Sequence, residues 1–373
     1  MNTIKKIGLT ALGTTLVASS AFAGEISVSG DAGYTWSSES IGGDAATTTT
    51  GSASNDGVGY NHDISFSGSG ELDNGWSVST GMTIVEDSSL SSSNVKLTMG
   101  SLGSIQVGNG TGGTGASFDG VTPYAYEENH DGMKTSTAID NMGALLGNGG
   151  VDYYSPSFDL GGASASFMVN WTPEASGTAV GEGGVSTGSA TRGSGSALGI
   201  NVSMGGISAG AYAAQATDDN GNSTDAVVGA DSSDATDATW FAKYTSGPVS
   251  IGYQKGVIDR GYASAANANT SSAKYVSTSG GDFETEMMSI AFNVNDDLSI
   301  SYAETESRYS PSTYVAGTNG KYADVTQTVD SLQIAYSMGA MSVKAYTTDI
   351  KNLNYVSGAT ETSVNEIAIG LAF

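Results

Sequence analysis

The chain has no cysteine, so no disulfide holds its fold, although an exported compartment would permit one. Five prolines in 373 residues exclude a proline-rich linker protein. Basic residues are scarce: 13 Lys and Arg stand against 38 Asp and Glu, which argues against nucleic acid or an anionic membrane surface as a partner. After the N-terminus no stretch approaches roughly 18 consecutive apolar residues, so nothing reads as a transmembrane helix. The residue in excess is glycine, with 53 copies, and its placement between short apolar segments points to turns.

The chain begins "MNTIKKIGLTALGTTLVASSAFAGE". Lys5 and Lys6 precede an apolar run from about Ile7 to Val17, and Ala21-Phe22-Ala23 follows. A positive start, a short apolar core and a small-residue end make a secretory signal. Sec-type export with cleavage after Ala23 is expected, leaving residues 24–373 as a single domain. That domain carries 11 basic and 38 acidic residues, because Lys5 and Lys6 are lost and no acid is, for a net charge of −27.

The period of the remaining chain is two. In "EISVSGDAGYTW", Ile26, Val28, Ala32, Tyr34 and Trp36 share one phase, and Ser27, Ser29, Asp31 and Thr35 share the other. Successive side chains of a strand point to opposite faces, so this is a strand with one apolar face. The pattern recurs in Ile64 and Phe66, in Trp76, Val78, Met82 and Ile84, and in Val95, Leu97 and Met99. It continues through Phe167, Val169 and Trp171, through Leu198, Ile200, Val202 and Met204, and through Leu332, Ile334 and Tyr336. Connections alternate in length. Short ones read "ELDNG" (71–75), "GSLG" (100–103), "FDLGG" (158–162), "MGG" (204–206), "TSGP" (245–248), "NDD" (295–297) and "MGA" (338–340), with the residues tight hairpins need. Longer polar ones lie near 37–56, 87–92, 110–149, 172–195, 217–237, 258–282, 309–325 and 351–361. Seven short turns and eight longer loops join about sixteen strands.

A soluble sandwich also shows alternating strands, but it does not need turns and loops to segregate so regularly. An all-β, antiparallel up-and-down barrel does, with every short turn at one end. In lipid each backbone group must be satisfied internally, so a spanning sheet closes on itself. About sixteen strands leave a lumen wide enough for water. The four Trp test this reading, because bilayer barrels carry aromatic girdles. Trp36, Trp76, Trp171 and Trp240 fall on the apolar phase near strand ends. Trp76 and Phe66 would mark the lower girdle with Tyr244, Tyr336 and Phe373, and Trp36, Tyr60, Trp171 and Trp240 the upper. Charges on the polar phase are Asp31, Asp63, Lys96, Asp152, Lys243 and Lys344, the expected pore wall. Most others fall in the loops. Asp330 breaks the rule by sharing the phase of Leu332 and Ile334; it lies above the membrane, at a bulge or in a subunit contact.

Four stretches give the chain a resemblance to the general outer-membrane porins of Gram-negative bacteria. "DISFSGSGELDNGWSVSTGMTIVE" (63–86) resembles that family's second hairpin, and "VKLTMGSLGSIQVGNGTGG" (95–113) the hairpin leading into its third loop. "VDYYSPSFDLGGASASF" (151–167) has the family's flavour at Tyr153, Ser155, Pro156 and Phe158, and the last strand ends on Phe373. The resemblance implies a homotrimer of sixteen-stranded barrels in the outer membrane, a third loop folded into the lumen, and a terminal Phe373 read by the barrel-assembly machinery.

A pore has no catalytic residue, and its chemistry is the charge, width and wetting of its constriction. The third loop, near 110–149, sets Asp119, Glu127, Glu128, Asp131 and Asp140 against Lys134 alone. The family's loop faces an arginine cluster, which is poorly matched here. The second strand offers Asn61, Asp63, Ser65 and Ser67, and Lys96 is the one wall base carried over. Arg192, Arg260 and Arg308 all fall in or beside long loops. The expected function is passive diffusion of small hydrophilic solutes with cation preference. A substrate-selective porin and a non-channel structural or adhesive surface protein are the alternatives.

Three further signals point to other chemistry. His62 in "YNHDI" suggests a hydrolase, but it falls on the apolar phase while Asn61 and Asp63 take the other, so they do not converge and no enzyme is expected. His130 lies near Glu127 and Asp131, where a solvated acidic loop is preferred over a metal site. "DDNGNSTD" (218–225) spaces Asp218, Asn220 and Asn222 like a calcium loop, yet Ser223 replaces the required Gly and Gly229 stands where a Glu belongs. No cofactor is expected, beyond divalent cations held loosely by acidic loops. The "ATTTTGSAS" stretch (46–54) reads as a tolerant loop tip.

Overall fold

A computed structural model describes residues 24–41, 54–85, 89–109, 113–129, 145–146, 150–175, 193–217, 234–259, 282–310 and 323–373. The signal at 1–23, His130, Asp131, Lys134, Asp140, Arg192, Arg260, most of 46–54 and all of 218–225 lie outside the described residues.

Sixteen strands form one antiparallel sheet. They are β1 (Glu25–Ile41), β2 (Ser54–Glu71), β3 (Ser77–Ile84), β4 (Leu90–Thr98), β5 (Ser104–Asn109), β6 (Val151–Tyr154, continued by Phe158–Asp159), β7 (Ser164–Thr172) and β8 (Gly195–Met204). The series continues with β9 (Ile207–Ala216), β10 (Ala235–Ser246), β11 (Val249–Asp259), β12 (Asp282–Asn293), β13 (Leu298–Ser310), β14 (Val325–Met338), β15 (Met341–Lys351) and β16 (Thr362–Ala372). Pro156 cannot donate to a ladder, and β6 breaks around it. Both pieces still pair with β7, and between them the Ser155 amide donates to the Phe167 carbonyl at 2.9 Å. Each strand pairs with its neighbours in sequence, and β16 pairs with β1 from Asp31↔Ala372 to Ile41↔Thr362, so the sheet closes. Tight turns join β8 to β9 and β14 to β15, where Gly205 and Gly339 take φ of 59° and 64°, a conformation costly for other residues.

Alternation decides the two faces. Leu332, Ile334 and Tyr336 of β14 are exposed outward, and Ser331, Gln333 and Ala335 between them are buried inward. Leu198, Ile200 and Val202 of β8 likewise face out, while Ala197 faces in. A continuous outward band of large apolar side chains encircles the barrel, the inverse of a soluble protein's surface. Trp36, Trp171 and Trp240 are exposed on it, and Trp76 stands half-buried at a short-turn end. Trp240 packs on Tyr253 with centroids 5.3 Å apart.

Above this band the strands run on and carry charged side chains of their own. Lys255, Glu284, Glu286 and Arg308 are strand residues on the outward phase. Lys255 pairs with Glu284 at 2.5 Å and Glu286 at 2.6 Å, and Arg308 bridges Glu284 and Asp324. The row begins where the aromatics end: the Tyr253 hydroxyl donates to Glu286 at 3.0 Å and the Tyr302 hydroxyl to Asp330 at 3.1 Å. Asp330 thus belongs to a charged rim directly above Leu332, rather than to the apolar band or a bulge.

Phe373 completes the closure. Its amide donates to the Gly30 carbonyl and accepts from the Gly30 amide through its own carbonyl, both at 2.8 Å. Its ring lies outward over Gly30, where a Cβ would sit 2.8 Å from it. One seam is low. Among the described residues β5 and β6 share four pairs, Ser104↔Tyr154 to Val107↔Val151. That ladder is about 13 Å long at ~3.3 Å per residue. By contrast β13 and β14 are paired from Leu298↔Tyr336 to Tyr309↔Val325.

Candidate functional site

The third loop enters the lumen above β5 and runs along the inner wall. Its root is held by Asp152, whose Oδ1 accepts from the Thr114 amide at 2.9 Å, the Thr114 hydroxyl at 2.7 Å and the Asn170 side-chain amide at 2.8 Å. Asp152 is 3% exposed. This corrects its assignment to the open pore wall: it faces inward, but the loop covers it and uses it as an anchor.

Phe118 comes next. It is fully buried against Tyr212 and Phe241, at centroid distances of 5.4 and 6.3 Å, and Leu146 of the returning limb joins the cluster. Small residues on the wall make room. A Cβ on Gly199 would stand 2.5 Å from the Phe118 ring, and one on Gly252 would stand 2.4 Å from Pro123. Two inward glutamines then bind loop backbone. The Gln254 amide nitrogen donates to the Phe118 carbonyl at 2.6 Å, and its oxygen accepts from the Val121 amide at 3.1 Å. The Gln333 oxygen accepts from the amides of Tyr126 at 2.9 Å and Glu127 at 3.3 Å, and its nitrogen donates to the Glu127 carbonyl at 2.7 Å. Ser301 accepts from the Ala125 amide at 2.9 Å, and Asn129 donates to Thr305 at 2.8 Å and the Val329 carbonyl at 3.0 Å. At the far end the Tyr126 hydroxyl donates to Glu366 at 2.5 Å. Burial, then that contact with Glu366, push the Tyr126 phenol well above its ordinary range, so it stays a neutral donor.

These bonds fall on β6, β11, β13, β14 and β16, so the loop lies along that side and faces β1 to β5 across the lumen. Of the expected loop acids, Asp119, Glu127 and Glu128 are described, and Glu128 folds back over Gly120. Asp31 and Asp63 are directly paired across β1 and β2 on the inward phase. Lys96 lies 5.2 Å from the centre of the Tyr154 ring, and Lys344 the same distance from that of Tyr126. Lys243 shares the inward phase of Phe241 on β10. His62 faces outward, stacked on Tyr60 at 6.3 Å, away from Asp63.

A second segment, unseen in the sequence, also folds inward. Asn352, Asn354 and Tyr355 take positive φ of 52°, 55° and 55°, rare for residues other than glycine. The hook buries Tyr355 against Phe283 and Tyr309, at 5.3 and 5.6 Å between centroids, with its hydroxyl 2.9 Å from that of Ser307. The Asn354 amide donates to Gln327 at 2.8 Å. Two asparagines just ahead of an aromatic residue, "NLNY" (352–355), are the available signal, since Asn tolerates this backbone best after Gly.

No protein-family model matches the sequence, and no curated protein does. Solved structures do match in fold. OmpF of Salmonella typhi, solved in complex with daunomycin, is 14% identical over 93% of this chain and 97% of that one, with a TM-score of 0.62. A porin refined at 1.8 Å is 14% identical over 94% of this chain and 100% of its own, with a TM-score of 0.55. OmpT of Vibrio cholerae, in a trimer form, is 12% identical over 94% and 100%, with a TM-score of 0.55. At such identities the likeness is one of fold.

Proposed function

We propose that this barrel, which has the fold of the outer-membrane porins, is a water-filled channel for passive diffusion of small hydrophilic solutes and ions, preferring cations. The observation that carries the reading is the inward loop, pinned to one side of a polar lumen and narrowing it. A plain surface-layer protein has no use for a lipid-matched outer band or for a loop held inside a closed barrel. The outward placement of His62, away from Asp63, supports a channel over a hydrolase. No cofactor enters this reading.

Cation preference rests on the lumen's charge. Asp31, Asp63 and Glu366 on the wall and Asp119, Glu127 and Glu128 on the loop stand against Lys96, Lys243 and Lys344. An acidic constriction concentrates cations and repels anions. Under a KCl gradient the reversal potential should take the sign for potassium over chloride, and more so at low salt, where screening is weakest. A chloride-selective potential would overturn the preference while leaving the channel in place.

Assembly as a homotrimer in the outer membrane is part of the proposal, supported by the trimer form of the V. cholerae barrel and by the low seam. A ladder of about 13 Å cannot by itself cross an apolar band of about 25 Å. Where a ladder stops short of the band's edge, protein packed against it is one way to satisfy the backbone. The outward residues there, Val95, Val107 and Val151, are apolar, and the charged rim stands on β11 to β14 instead. Because the chain has no native cysteine, single substitutions report cleanly. Val107→Cys should cross-link between copies with a bifunctional thiol reagent, and Ile334→Cys should not. The opposite pattern would move the interface elsewhere.

A further inference from the structure

The two strands at the start of the barrel are bordered unequally. β1 has a neighbour on both sides to its end, with β16 as far as Ile41↔Thr362 and β2 as far as Ser40↔Ser54. β2 pairs with β3 only from Glu71↔Ser77 to Ile64↔Ile84. Above Ile64, residues 54–63 run on beside β1 alone among the described residues. That is a one-sided edge roughly 30 Å long at ~3.3 Å per residue.

The bonds of Gly30 fix which groups line this edge. Gly30 exchanges both its amide and its carbonyl with Phe373, so even-numbered residues of β1 turn their backbone to β16 and odd-numbered ones to β2. Asp31, Gly33, Thr35 and Ser37 therefore bond Asp63, Asn61, Gly59 and Gly57. Asp56, Val58, Tyr60 and His62 direct amide and carbonyl the other way, where Ile64 meets β3 and they meet no strand among the described residues. Val58 is 80% exposed and Tyr60 66%, more than any other large apolar side chain within a described strand, because each has a neighbouring strand on one side only.

Val58 is paired with Trp36 and Tyr60 with Tyr34, so the edge crosses the aromatics at the upper end of the apolar band, and His62 lies lower. Open sheet edges are avoided in hydrocarbon. Edges that face water are blunted by proline, lysine or a bulge. From Ser54 to Asp63 there is no proline, no lysine and no break in the register with β1. A straight, unguarded edge is a template for a further strand. It also adjoins the short ladders of β3 to β6, the low side on which copies meet in the trimer reading.

We propose that an extended segment of a neighbouring copy of this chain pairs with the β2 edge from Asp56 to His62 as an added strand. The copies are then joined by main-chain hydrogen bonds as well as by apolar faces, with Val58 and Tyr60 packed beside the incoming segment. The inference rests on the trimer reading and states how one copy grips the next.

Hydrogen exchange of the intact trimer, read residue by residue, tests it. The amides of Val58 and Tyr60 should exchange as slowly as those of Gly57, Gly59 and Asn61, which β1 holds. Without a partner strand they should exchange at least about tenfold faster, the scale of one lost hydrogen bond. A photo-cross-linker, p-benzoylphenylalanine, placed at Val58 should give a dimer-sized band that survives boiling, and at Ile334 it should not. Fast exchange at Val58 and Tyr60 in an intact trimer would overturn the pairing. So would a cross-link from position 58 only within its own chain, or only to lipid. A barrel that runs as a monomer before heating would instead overturn the trimer, and this inference with it.

Discussion

Gln333→Leu is expected to raise single-channel conductance and to make the open current noisier. Gln333 is the strongest clasp on the loop tip, taking the amides of Tyr126 and Glu127 and the Glu127 carbonyl through one carboxamide. Leucine fills similar space with no polar atom. Three backbone groups would then lose their partner at a site where Gln333 itself is 3% exposed. Each unsatisfied buried group costs about 1–3 kcal/mol. A loss of even ~3 kcal/mol shifts the balance between docked and undocked tip on the order of a hundredfold. The loop's root would stay on Asp152 and its middle on Gln254, so the barrel should still fold and resist SDS before heating. Gln254→Leu should act in the same direction, and the double variant further, because the two clasps hold successive parts of one segment. Recordings in planar bilayers decide it. Unchanged conductance in both single variants would mean that the loop does not set the width of the pore.

Deleting Phe373 should reduce the yield of assembled barrel by about tenfold or more, while barrels that do assemble conduct as wild type. The deletion removes both hydrogen bonds to Gly30, leaving an unpaired amide and carbonyl at the edge of the closing seam. Two such groups next to lipid cost on the order of 2–6 kcal/mol. Phe373→Ala keeps the backbone bonds and removes only the outward ring, so it separates closure from recognition of the ring. If the assembly machinery reads the aromatic end, Phe373→Ala should also assemble poorly. Conductance should not change in either case, because the ring points away from the lumen. The measurement is the heat-modifiable fraction in outer-membrane preparations. Normal yield of the deletion would remove Phe373 from both roles.

Strands were legible wherever lipid imposes a rule. Leu332, Ile334 and Tyr336 must be apolar and Gln333 need not be, so the period of two stands out. Above the bilayer that contrast disappears: Lys255, Glu284, Glu286 and Arg308 face water on the outward side, so a charge there no longer marks the inward face. The constriction was legible only as a long acidic loop in the right order. Its fastenings were not. Val121 and Gln254 are 133 positions apart, and Tyr126 and Glu366 are 240 apart. Nothing local distinguishes Gln333 from any other polar residue on the inward phase. Gly199 and Gly252 look like ordinary strand glycines until Phe118 and Pro123 are seen against them. The phase of Asp152 marks it as inward, but whether an inward carboxylate meets solvent or a loop depends on where the loop lies.

Conductance of the purified barrel in a planar bilayer tests the central claim most directly. If the lumen is a continuous aqueous path narrowed by the third loop, symmetric KCl should give discrete, stepwise current increments, each persisting at low voltage. A membrane that stays insulating, although the protein is inserted and shows the unheated SDS-resistant form, would contradict it.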